Sequence, residues 1–91
     1  MKMKAVITVL GSDRVGIIAA VTNVLAKVNV NILDISQTIM EKIFTMVMLV
    51  DLKQANVPFA EISKALDEIG QELGVSIRIQ HEDIFNSMHR I

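Results

Sequence analysis

The stretch LGSDRVGII, residues 10–18, lies where the hydrophobic pattern of the sequence changes its period. Before it, residues 3–10 are rich in aliphatic and β-branched side chains, which is typical of a mostly buried strand. After it, apolar residues recur at helical spacing, at Ile17, Val21, Val24 and Val28. The stretch therefore predicts a strand, a loop with a charged Asp–Arg pair between two glycines, and then a helix.

The next two segments read as a β-hairpin. Residues 29–40 alternate with period two, with Leu33, Ile35 and Ile39 on one side of the strand. A third strand is predicted over residues 43–51, after a turn at residues 41–42. Because the connection is so short, we expect the two strands to be antiparallel, although the turn lacks the usual Asn-Gly pair.

The second half of the sequence predicts a helix, a strand and a helical tail. Asn56 and Pro58 open a helix with Pro58 in its first turn, and Gly74 is expected to be its C-cap. The apolar stripe of this helix consists of Phe59, Ile62, Leu66, Ile69 and Leu73. Residues 75–80 alternate cleanly as a fourth strand, and apolar residues in 82–91 predict a short docked helix.

The element order β-α-β-β-α-β predicts an α+β ferredoxin-like sandwich, a four-stranded antiparallel sheet with two helices on one face and a short C-terminal helix. The second strand is expected at an edge of this sheet. We expect one domain over residues 1–91, with a core over 3–81 and a tail over 82–91. The apolar third strand predicts that the tail or another chain covers the sheet's second face.

Composition excludes several classes of function. The 91-residue chain is 52% hydrophobic, has a formal net charge of −1 and contains no cysteine. It therefore lacks the basic surface expected for nucleic acid or an anionic membrane, and thiolate chemistry is excluded. His81 and His89 do not have a standard ligand spacing, so we predict neither a metal site nor a cofactor. With no apolar run long enough to span a membrane, the sequence predicts a soluble cytoplasmic protein.

The loop in the opening stretch has two readings from the residues alone. Its Gly-x4-Gly spacing starts like a P-loop, but Ile17 and Ile18 follow where Lys and Ser or Thr are needed. In a structural role, Asp13 is a helix N-cap, and the two glycines serve backbone conformation and close packing. In a binding role, the free N–H groups at the helix start take a carboxylate or another anion.

A family resemblance favours binding. Residues 13–17 (DRVGI) and 31–35 (NILDI), with the Ala- and Val-rich helix between them, resemble an ACT domain, the small-molecule-sensing module of many amino-acid-metabolism enzymes and regulators. The chain looks like a freestanding ACT protein, similar to the small bacterial family of single-ACT proteins, and it also resembles the ACT halves of glycine-cleavage regulators. The resemblance implies a homodimer in which a small ligand lies between this loop of one subunit and strand two of its neighbour. Carried over by position, the ligand-binding residues are Gly11, Ser12, Asp13, Arg14, Gly16, Asn31 and Ile32.

The resulting prediction is a non-catalytic regulatory domain that senses an amino acid or a similar metabolite as a homodimer. It reports to a protein partner that the sequence does not identify. A ligand-free dimerisation or scaffold module remains an alternative. A small phosphate-handling enzyme of the acylphosphatase type is the other, with Arg14 as its phosphate binder.

Overall fold

The computed structural model describes residues 3–12 and 15–83. Their order is β1 (Lys4–Ser12), α1 (Ile17–Lys27), β2 (Asn31–Met40), β3 (Ile43–Asp51), α2 (Phe59–Leu73) and β4 (Val75–His81). The strands form one sheet in the order β2-β3-β1-β4, and every pair is antiparallel. The predicted α+β ferredoxin-like sandwich is confirmed. Residues 84–91 of the predicted tail helix lie outside the described residues.

The core lies between the sheet and the two helices. The two central strands, β1 and β3, supply about half of it from alternate positions, because successive side chains of a strand point to opposite faces. Its fully buried large side chains are Ile7, Val9, Ile17, Val21, Leu25, Met46, Met48, Val50, Ile62 and Leu66. In α1 the buried stripe passes through Leu25, and Val24 and Val28 are only half-buried.

A bulge in β2 changes the predicted alternation of that strand. Ile32 pairs with Val50 and Asp34 pairs with Leu49, so Leu33 is an extra residue between two consecutive rungs. Regular pairing resumes at Asp34, and the sequence did not predict this interruption between Ile32 and Asp34.

Two helix starts differ from the sequence prediction. The N-cap of α1 is Gly16, at φ 94°, three residues after Asp13, which the sequence predicted as the N-cap. The chain enters α1 through a left-handed residue, which glycine adopts without steric cost. Pro58 is the N-cap of α2 at ψ 159° and lies just outside its first turn. The predicted C-cap of α2 is confirmed, because Gly74 has φ 73°.

The hairpin turn between β2 and β3 places two ordinary residues in left-handed conformations. Glu41 has φ 50° and Lys42 has φ 75°. Positive φ at both central residues is what a type I′ turn requires, and Asn-Gly meets that requirement with less strain than Glu-Lys. The turn therefore forms despite its sequence, because the two strands it joins pair along their whole length.

Replacing Glu41 and Lys42 together with Asn-Gly is expected to stabilise the protein by about 1 kcal/mol, because strain at two positive-φ positions is relieved. For a domain of this size that is a rise in Tm of roughly 4–8 °C. Thermal unfolding followed by circular dichroism measures it. Lys53→Gly is the matched control, since Lys53 lies in a turn without positive φ and should lose stability. A Tm that falls in the Asn-Gly variant contradicts the turn conformation.

The face of the sheet opposite the helices carries a second set of side chains. Val47 and Leu49 of β3 are half-buried there, whereas Leu10, Met40 and Ile43 are largely exposed. Across residues 3–12 and 15–83, neither helix has the length and apolar character needed to cross a membrane.

Candidate functional site

The junction between β1 and α1 forms one side of the candidate site. Gly11 and Ser12 end β1, Gly16 caps α1, and Asp13 and Arg14 lie outside the described residues. The first-turn N–H groups of an α-helix have no acceptor within the helix. Among residues 3–12 and 15–83, no side chain caps this helix start, so the N–H groups of Ile17 and Ile18 are left for another acceptor. The junction therefore presents donors suited to a carboxylate.

Packing against β4 explains why position 11 is a glycine, which the sequence alone did not reveal. A Cβ placed on Gly11 would lie 2.6 Å from Cγ1 of Val75 and 3.0 Å from its Cα. These two residues are paired in the β1–β4 ladder, so the close approach belongs to the sheet itself. Gly16 differs, since a Cβ there would meet nothing within 4 Å and only its positive φ calls for glycine.

A cleft of about 260 Å³ lies between the start of α1 and the outer strand β2. One wall is the first turn of α1, and the other is formed by Gln37 and Ile39 of β2, with Phe44 of β3 behind them. Its lining residues are Gly16, Ile17, Ile18, Ala19, Gln37, Ile39 and Phe44. The cleft is therefore mainly apolar and opens beside the helix N–H donors.

The predicted site residues of β2 lie at the opposite end of the sheet. Asn31 pairs with Asp51, whereas Ser12 pairs with Ile43, and these two β3 residues are eight positions apart. At about 3.3 Å per residue the separation is roughly 26 Å. Asn31 instead lines a second cavity, of about 320 Å³, with Asn29 and Gln54, where the Asn29 side-chain N–H donates to the Gln54 carbonyl at 2.8 Å. Within one chain, Asn31 and the half-buried Ile32 do not meet the β1–α1 junction.

Sequence reasoning missed the residues of β2 that do line the cleft. Gln37 lies between Ile35 and Ile39 in the row of side chains that faces the helices, opposite buried Met46. A polar residue that interrupts an apolar alternation is a signal that the sequence did contain. Ile39 was assigned to the correct face, but its position at the cleft depends on the strand order.

The histidine predicted not to be a metal ligand has a packing contact. The ring of His81 stacks on the ring of Phe59, with centroids 4.2 Å apart and an interplanar angle of 19°. Within residues 3–12 and 15–83, no three His, Asp or Glu side chains come together as a metal site. This ring contact packs the end of β4 against the start of α2.

Comparisons with known proteins agree with the fold. A family model described as ACT domain matches residues 4–80. A UPF0237 protein of Clostridium acetobutylicum is 60% identical over 89 residues, which are 98% of this chain and 100% of that protein. A solved ACT domain protein from Streptococcus pneumoniae has a TM-score of 0.80 at 40% identity, over 93% of this chain and 96% of that chain.

A more distant likeness is to a regulator. The crystal structure of a putative glycine cleavage system transcriptional repressor has a TM-score of 0.72 at 26% identity. The match covers 85% of this chain and 44% of that one. The sandwich described above is therefore a regulatory fold that also occurs within longer proteins.

Proposed function

Because the chain belongs to the ACT domain family, we propose that it is a non-catalytic regulatory domain that senses an amino acid or a similar small metabolite as a homodimer. The observation that carries the proposal is the cleft between the start of α1 and β2, which lies at an unpaired edge of the sheet. The proposal includes a cytoplasmic location for the protein, where free amino acids are available.

The difference between the two sheet edges supports pairing through β2. The strand is ten residues long and has one charged residue, Asp34, and its apolar side chains at Leu33, Ile35 and Ile39 are 43%, 42% and 59% exposed. A long apolar edge strand is a template for pairing with another strand. The other edge, β4, has seven residues and carries the exposed Arg78, a feature that discourages pairing.

Antiparallel pairing of two β2 strands would complete the site. In such a pair, Asn31 of one copy lies beside the Met40 end of the other, where the cleft opens. The two halves of the predicted site, roughly 26 Å apart in one chain, would then meet across the twofold axis. This arrangement accounts for a family pattern whose residues do not come together within a single chain.

The chemistry of the combined site suits an α-amino acid. The ligand carboxylate would accept hydrogen bonds from the N–H groups of Ile17 and Ile18. The ligand ammonium would donate a hydrogen bond to the side-chain oxygen of Asn31 from the other copy. Ligand binding would stabilise the dimer arrangement in which both halves are in place, because only a difference in affinity between two states shifts their equilibrium.

The experiment that tests the proposal is thermal unfolding of the full chain with each of the twenty amino acids, with mass measured by light scattering on the same sample. A ligand at one hundred times its Kd adds about 2.7 kcal/mol, which is a rise in Tm of roughly 10–20 °C. Asn31→Ala is expected to abolish the rise and leave the dimer mass unchanged. Asn23→Ala, at an exposed position of α1, is the matched control and should retain the response.

The alternatives give different results in the same experiment. A stable dimer that responds to none of the twenty amino acids contradicts sensing and supports the ligand-free dimerisation module, which the exposed edge of β2 favours on its own. Turnover of an acylphosphate would contradict the non-catalytic assignment.

A further inference from the structure

We infer that the amino acid bound in this cleft has an uncharged, apolar side chain of the size of leucine, isoleucine or methionine. The inference rests on the proposed sensing function and specifies the class of ligand.

The lining of the cleft carries the argument. Its floor is formed by Ile17 and Phe44, which are 2% and 3% exposed, and its walls by the more exposed side chains of Ile18 and Ile39. Among the described residues that line it, the only polar side chain is that of Gln37, which is neutral. A ligand side chain that enters this space meets methyl groups and one aromatic ring, with a single amide at the side.

These surroundings discriminate strongly between ligand side chains. A carboxylate or ammonium placed there loses its hydration and finds no opposite charge among the described lining residues. A side chain of leucine size that becomes fully buried gains about 10- to 150-fold in affinity over glycine. The apolar lining therefore rejects charged side chains and rewards aliphatic ones.

The volume of the cleft suits a small ligand. At about 260 Å³ the part formed by one chain lies below the roughly 300–1,000 Å³ of pockets that hold drug-sized molecules. A single amino acid matches this space better than a larger molecule such as a nucleotide. Glycine would leave most of the apolar lining uncovered.

Calorimetric titration of the full chain tests the inference, with L-leucine, L-isoleucine, L-methionine, glycine, L-aspartate and L-lysine as the probes. We expect each of the three apolar amino acids to bind at least ten times more tightly than the other three. Ile39→Ala is expected to weaken L-leucine binding by about tenfold, because it removes part of one wall. Since Ile39 is 59% exposed, this variant should fold normally.

Leu10→Ala is the matched control, because Leu10 is also partly exposed, lies on β1 rather than on the strand proposed to pair between copies, and does not line the cleft. It should bind L-leucine as the unmodified chain does. Tighter binding of glycine, aspartate or lysine overturns the apolar assignment and leaves the sensing function standing. An equal loss in both variants also overturns it, whereas the absence of binding by all twenty amino acids overturns the sensing function and this inference together.

Discussion

Replacing Ile35 with lysine is expected to separate the proposed dimer into monomers. Ile35 lies near the middle of β2, is 42% exposed, and would lie close to its own copy in an antiparallel pair of these strands. Two like charges then face each other without water, which costs several kcal/mol, so the dissociation constant should rise at least about a hundredfold. Light scattering over a dilution series measures it.

Ser76→Lys on β4 is the matched control for this substitution. Ser76 is exposed on the other edge strand, outside the proposed interface. The substitution adds the same charge as Ile35→Lys, and the measured mass should stay that of a dimer. A dimer that persists in Ile35→Lys and dissociates in Ser76→Lys would place the interface on β4. Amino-acid binding should weaken together with dimerisation in Ile35→Lys, because the proposed site needs both copies.

Gly11→Val is expected to destabilise the fold by about 2 kcal/mol. Valine favours strands over glycine by about 1 kcal/mol at most. Against this gain, a Cβ at position 11 would lie 2.6 Å from Cγ1 of Val75 and 3.0 Å from its Cα, which cannot move without shifting β4. Overpacking that involves backbone costs about 3 kcal/mol, so the clash outweighs the gain and Tm should fall by roughly 8–16 °C.

Combining Gly11→Val with Val75→Gly separates packing from ligand binding as the reason for this glycine. Removing the Val75 side chain takes away the closest contacts, so the double variant should be more stable than the sum of the two single effects predicts. Urea unfolding of the four proteins gives this coupling energy. Additive effects would contradict the contact, and a normal Tm with lost ligand binding would assign Gly11 to the ligand.

Much of the fold follows from the sequence because each element carries its own periodicity. The third strand was predicted over residues 43–51, and β3 is Ile43–Asp51. The turn at residues 41–42 was predicted as well, but its left-handed conformation and the bulge at Leu33 were not, since neither has the usual local signal. The register of β2 depends on pairing with β3 along ten residues, which outweighs the preferences of the two turn residues.

The candidate site was harder to predict because it depends on which elements lie side by side. Gly16 was found from the motif, and the structure places it at the cleft. Asn31 belongs to the same motif but lies at the far end of β2, and only a second chain would bring it back. Gln37 interrupts an apolar alternation, but it was missed because only the packing of β2 beside α1 shows that this position lines the cleft.

The unequal edges of the sheet also bear on how far assembly proceeds. When an edge strand pairs with its own copy about a twofold axis, that edge is occupied in both molecules and cannot pair with a third. In the proposed dimer, each end of the joined eight-stranded sheet would be β4, which is short and charged at Arg78 and gives a third molecule little to pair with. Pairing through β2 would therefore also limit assembly to two molecules and prevent growth into a filament.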